Sequence, residues 1–73
     1  MTYRSSEYDL GLGVNRLRLR NNMSVAEFAD RLNISRMQAY RYIDAVDMKF
    51  SKVCELANEF DMSVTDFLQM CRR

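Results

Sequence analysis

Five stretches of this chain place apolar residues at helical spacing, each separated from the next by a short polar corner. The clearest runs from Ser24 to Tyr42. Ser24 and Glu27 have the spacing of a capping box, in which each residue's side chain satisfies an orphan backbone N–H at a helix start. Val25, Phe28, Ala29 and Leu32 then share one face, predicting a helix over about Val25–Leu32. Asn33 follows, one of the few non-glycine residues that tolerates the left-handed conformation ending a helix. Ser35 and Gln38 repeat the capping signature, and a second helix is expected over about Arg36–Ala45. Its apolar face is Ala39, Tyr42, Ile43 and Val46, at i, i+3, i+4 and i+7. Arg36, Met37, Tyr40, Arg41 and Asp44 lie opposite.

Three further helices flank this pair. Leu10, Val14 and Leu17 predict a first helix from about Leu10 to Arg20. Gly11 and Gly13 weaken its first turn, each by about 1 kcal/mol relative to alanine. A glycine there suits the close approach of another helix. Ser51 is expected to cap a fourth helix with the stripe Val53, Leu56, Ala57 and Phe60. Ser63 and Asp66 have the capping-box spacing again and open a fifth, with Val64, Phe67, Leu68 and Cys71 as its stripe. Val46, Met48 and Phe50 are more apolar than a plain connection needs; they either cover the core or form a patch. Residues 1–9 lack periodicity and are expected to form a flexible arm before a domain of residues 10–73. Arg4 in that arm is a candidate for a DNA groove or part of a frayed terminus, and Tyr3 and Tyr8 are candidates to pack across the domain. The central pair, two short helices around a tight corner, predicts a helix-turn-helix.

The chain has 73 residues, enough for one small domain that buries about 60% of its unfolded surface. A modest core of that kind gains from a partner subunit. No apolar run approaches the roughly 20 residues of a membrane span, and no signal-peptide pattern opens the chain. Cys54 and Cys71 lack metal-ligand spacing, so a reduced, cytoplasmic protein is expected. Histidine is absent, which removes the commonest general base and metal ligand. The net charge is only +1, but it is unevenly spread. Residues 16–41 hold six arginines against Glu27 and Asp30, while residues 42–70 hold Lys49 and Lys52 against six acids. A positive half centred on the helix pair suits phosphate, although an ordinary solvated surface would look similar.

The stretch Ser24–Tyr42 resembles the Cro/lambda-repressor-type (XRE-like) helix-turn-helix family. The resemblance extends over roughly residues 10–70 without a gap. Upstream it is carried by Leu10, Gly11, Val14, Leu17, Arg18, Asn22, Met23 and Ser24. Downstream it is carried by Leu56-Ala57, by Phe60-Asp61-Met62-Ser63-Val64 and by Phe67-Leu68. It implies an all-α fold, a small five-helix lambda-repressor-like DNA-binding domain with its helix-turn-helix. It also implies a sequence-specific DNA-binding regulator, a homodimeric repressor that inserts helix 3 into the major groove of an inverted-repeat operator. Half-sites of such a dimer lie about 34 Å apart. Small members of the family are frequent in phages, plasmids and other mobile elements, and as antitoxins.

The resemblance places Arg36, Met37 and Arg41 at base edges, with Gln38 and Tyr40 touching bases or phosphate. Arginine bonds guanine O6 and N7 in parallel, and Met37 suits a thymine methyl or a protein. Phosphate contacts are expected from Arg18, Ser24, Val25, Lys49 and Lys52. Arg18 matches a bracing arginine, yet Ile43 stands where its usual glutamate partner would be, so Arg18 faces either solvent or phosphate. Ala39 is smaller than the usual corner residue; Tyr42 is expected to fill the volume and to need a partner for its hydroxyl. With no glycine or proline over 44–50, helix 3 is expected to run longer than usual. Val64, Asp66, Phe67 and Met70 are candidates for the dimer interface, Val64 and Phe67 being equally suited to closing the monomer's core.

The alternative is a protein-interaction module, antitoxin-like or an adaptor, that keeps the fold with weak or no DNA binding. Val25, Met37, Ile43 and the missing basic loop motivate it. An enzyme is the least supported class. No phosphate loop, metal cluster or activated nucleophile is evident, and capping explains the serine spacing. No catalytic or metal-binding residue, cofactor or small-molecule ligand is expected.

Overall fold

Asn22-Met23-Ser24, Asn33-Ile34-Ser35 and Asp61-Met62-Ser63 build one corner three times. In each, the first residue takes the left-handed conformation, with φ of 55°, 58° and 55°. The second residue's N–H then reaches back to the carbonyls of Arg18, Ala29 and Ala57 respectively. This is the Schellman arrangement, which satisfies orphan carbonyls at a helix end. Met23, Ile34 and Met62 turn inward and pack against the core. The serine immediately caps the next helix, its Oγ accepting from the N–H of Glu27, Gln38 and Asp66 respectively. Three residues thus end one helix, anchor the corner and start the next.

The computed structural model describes residues 8–45 and 48–73. Arg4, Tyr3, Val46 and Asp47, and so most of the expected arm, lie outside the described residues. Five helices follow in order: α1 Leu10–Arg20, α2 Val25–Leu32, α3 Arg36–Asp44, α4 Phe50–Glu59 and α5 Val64–Met70. Among the described residues there is no strand, only an isolated antiparallel bridge between Tyr8 and Arg72. The all-α expectation therefore holds. None of these helices is long and apolar enough to cross a membrane.

α1 is the hub. It packs against α3 and α5, α2 packs against α3, and α4 against α5. The core is Leu10, Val14 and Leu17 of α1, Phe28 and Ala29 of α2, Ala39 of α3, Val53, Leu56 and Ala57 of α4, Phe67 of α5, and Cys71. Phe28 stacks on Phe60 with ring centroids 5.9 Å apart. Arg31 lies over the other partner of that stack, its guanidinium carbon 4.7 Å from the Phe60 centroid. Aromatic packing and a cation–π contact together hold α2 against the end of α4.

Both glycines of α1 mark close approaches. A Cβ on Gly11 would overlap the carbonyl oxygens of Ile43 and Ala45. The Gly11 N–H donates to the Ala45 carbonyl at 2.7 Å, satisfying one of the orphan donors of the α1 start. This contact corrects the expectation that α3 would run long. Ala45 is extended, at φ −71° and ψ 141°, and α3 stops at Asp44 with that carbonyl turned to α1. α4 also departs from expectation. It starts at Phe50, with Lys49 in the cap position and no side-chain cap, so Ser51 lies inside the helix. Only Ser24 and Glu27 form a full reciprocal box; Ser35 and Ser63 supply the serine half.

A Cβ on Gly13 would overlap the Cys71 Sγ. Cys71 is fully buried, and burial, with Asp9 second, pushes its thiol up to about 11. The α1 start and the chain's last residues are tied around this point. Asp9 caps α1 through the Leu12 N–H, donates its own N–H to the Cys71 carbonyl at 2.9 Å and pairs with Arg73 at 3.1 Å. Arg16 donates to the carbonyls of Met70 and Arg72. Gly13→Ala is expected to destabilise by about 1–3 kcal/mol through overpacking. Adding Cys71→Ala removes the obstructing sulfur and should recover part of that loss. Denaturant unfolding of both single variants and the double variant measures the coupling; strict additivity would show that the two residues do not meet.

Candidate nucleic-acid interface

The exposed side of α3 follows from its buried side. Ala39 is fully buried, and Tyr42 and Ile43 pack against the core. At 3.6 residues per turn the opposite arc carries Arg36, Met37, Tyr40, Arg41 and Asp44, and all five are exposed. Met37 is 66% and Tyr40 54% exposed, high values for apolar side chains near the middle of a helix. The expected base-contacting residues Arg36, Met37 and Arg41 therefore share one open face with Tyr40. Gln38 is half-buried at its edge. Its backbone N–H is taken by the Ser35 hydroxyl.

The six arginines of residues 16–41 divide into two groups. Arg16 holds the C-terminal carbonyls, as above. Arg18 donates to the Met23 carbonyl at 2.8 Å and to Asn15 Oδ1 at 2.8 Å, closing the corner between α1 and α2. Arg20 reaches the Met70 sulfur. Arg31 donates to the Glu59 carbonyl and carboxylate. Arg16, Arg18 and Arg31 brace the fold through bonds to oxygen, Arg20 makes only its weak sulfur contact, and no described carboxylate pairs with Arg36 or Arg41. Of the exposed arginines in residues 16–41 that bond no described oxygen, two of three, Arg36 and Arg41, lie on α3 and the third, Arg20, on α1.

The expected phosphate contacts fare differently from one another. Arg18 is half-buried and committed to Asn15 and Met23, a clamp where solvent or phosphate was expected. Ser24 is also committed: its N–H donates to Glu27 Oε1 at 2.8 Å and its hydroxyl caps Glu27. The Glu27 carboxylate thus occupies the α2 N-terminus and opposes an anion there. Val25 turns its side chain to the core, leaving only its backbone N–H, an orphan by helix geometry, for a phosphate. Lys52 lies 3.5 Å from Glu55. Tyr42, and after it Glu55, hold the Lys52 ammonium above its ordinary pKa. Lys52 and Tyr42 line one groove together with Ile34, Glu55 and Glu59. Lys49 remains an exposed cation at the α4 start. The α3 start has no acidic residue in its first turn. Its free N–H groups lie beside Arg36, so anion binding is favoured here rather than at α2.

After Asp44, the described exposed acids of the second half gather on other elements than the α3 face. Glu55, Glu59, Asp61 and Asp66 are all exposed on α4, α5 and their corner. Of the residues expected at a dimer interface, Phe67 is 0% exposed and belongs to the chain's own core, where no second copy can reach its ring. Val64 is half-buried against that core. Asp66 and Met70 border an open groove that also takes in Arg20 and Asp61. Of the expected apolar connection, Met48 packs against the core, whereas Phe50 is 69% exposed. Among the described residues, no group of three or more acidic or cysteine side chains is placed to hold a metal ion.

Sequence reasoning singled out Arg18, Arg36 and Arg41 but left Arg16 and Arg31 to the summed charge and missed their clamping roles. A guanidinium's partner 28 or more residues away leaves no local signature. Known proteins add nothing to the geometry: no family model, no curated protein and no solved structure matches the chain.

Proposed function

We propose that this chain is a sequence-specific duplex DNA-binding regulator. In this reading α2, the Asn33-Ile34-Ser35 corner and α3 form a helix-turn-helix of the lambda-repressor-like kind, and α3 enters the major groove. One observation carries it: Arg36 and Arg41, neither paired with a described carboxylate, share the exposed face of α3 with Met37 and Tyr40. The groove is wide enough for a helix, and arginine is its commonest specific reader. The α3 N-terminus and Lys49 supply phosphate contacts. The acidic α4 and α5 face away from the backbone. A homodimer assembled along the outer side of α5, through Asp66, Met70 and the exposed part of Val64, reads two half-sites. Repression follows where such a site overlaps a promoter.

Salt tests this reading directly. Each neutralised phosphate releases counterions, so log K falls against log salt with a slope of about −0.9 per contact. A steep negative slope on duplex DNA is expected, and salt-insensitive or absent association would remove the reading. The exposure of Met37 and Tyr40 favours a second reading, a protein-interaction module using the same face. A partner captured through Met37 and Tyr40, with no affinity for DNA, would establish it.

A further inference from the structure

Met37 and Arg41 lie one helical turn apart, and their side chains meet at the tips. Arg41 Nη2 points at Met37 Sδ across 3.9 Å. Met37 occupies the middle of the exposed arc of α3, between Tyr40 and Arg41 in helical phase. The contact spends one of five guanidinium N–H groups on a weak acceptor and leaves the others for a stronger partner. It also lays the arginine along the methionine, which restrains a long side chain that would otherwise have many rotamers to lose on binding. Two chemically different probes are thereby held side by side, one apolar and polarizable, the other a planar two-pronged donor.

Resting on the reading above, we infer that Met37 and Arg41 act as one unit that recognises a guanine with a thymine at the adjacent base pair. The separation of the tips fits one step of the duplex, whose bases rise about 3.4 Å along each strand. Arg41 takes guanine O6 and N7, and Met37 covers the thymine 5-methyl, the apolar group of the major-groove edge. Neither residue has a core role that its loss would disturb. Met37 is two-thirds exposed, and Arg41 has no described ion pair to break.

The test uses the full chain and a duplex that it enriches from a random pool. Each guanine is replaced in turn by 7-deazaguanine, which deletes N7, and each thymine by deoxyuridine, which deletes only the methyl. With the unaltered protein, one guanine is expected to be worth at least about fivefold in affinity. A thymine at the next base pair should be worth about fourfold, the value of one buried methyl group. In Met37→Ala the uracil effect should vanish at that thymine and persist elsewhere. Specific binding without any uracil effect beside the sensitive guanine overturns the inference and leaves the DNA-binding reading standing. So does an equal effect in Met37→Ala. Failure to enrich any duplex overturns both.

Discussion

Phe28→Ala is expected to cost about 3–5 kcal/mol, the usual range for a phenylalanine removed from a packed core. For a domain of this size the whole stability is about 4–11 kcal/mol, so the variant should be largely unfolded or close to it at 37 °C. The effect is large because Phe28 serves more than its own helix. It is 0% exposed, it stacks on Phe60, and Phe60 in turn receives Arg31. Its loss leaves a cavity where α2 meets the end of α4 and frees the helix that sets the angle of α3. Phe50→Ala is the control. Phe50 is 69% exposed, and its removal should change stability by no more than about 0.5 kcal/mol. Denaturant unfolding followed by circular dichroism reads both. A normal transition for Phe28→Ala would show that α2 is not held by this stack.

Arg36→Ala combined with Arg41→Ala should leave the fold intact and remove most specific binding. Each bidentate contact to a guanine contributes about 1–3 kcal/mol, so the double variant is expected to lose at least about 30-fold in affinity for an enriched duplex. Arg20→Ala separates this from a general loss of charge. It removes the same kind of cation, but from a side chain that reaches the Met70 sulfur beside α5. Affinity titrations at one fixed salt concentration should therefore find Arg20→Ala within about threefold of the parent, since long-range charge effects are largely screened there. Equal losses from Arg20→Ala and from the double variant would reduce the α3 face to unspecific attraction.

Local codes explain why so much of the fold was legible in the sequence. The bounds of α1, α2 and α5 follow from apolar spacing and from serines at Ser24 and Ser63, interactions closed within four residues. The left-handed turn at Asn33 is legible for the same reason. Asn22 and Asp61 carry the same Asn/Asp–apolar–Ser code and were there to be found; only the repetition, not any single asparagine, makes the signal specific. The end of α3 was not legible. It depends on Gly11 admitting the Ala45 carbonyl from more than 30 residues away, and no local residue near Ala45 announces it. Gly11 itself was legible as a point of close approach, but its partner was not.

The candidate site divides along the same line. The exposed face of α3 was legible because helical phase alone separates Arg36, Met37, Tyr40 and Arg41 from Ala39 and Tyr42. The phosphate contacts were less so. Ser24 carries two roles in sequence, cap and anion ligand, and the Glu27 carboxylate settles the competition by filling the α2 start. Lys52 depends on Tyr42 and Glu55, and Arg18 on the Met23 carbonyl. Phe67 fits a core stripe and an interface stripe equally well by spacing, and burial assigns it to the core. Charge summed over a segment cannot distinguish an arginine that braces a helix from one that waits for a ligand.

The most direct measurement is retention of random-sequence duplex DNA by the full chain at two salt concentrations, followed by sequencing of what is held. Enrichment of an inverted repeat is expected, with half-sites about one helical turn apart and guanines at the positions facing Arg36 and Arg41. Much weaker retention is expected at the higher salt. No retention at low salt would contradict a DNA-reading α3 and would leave the Met37–Tyr40 face to a protein partner.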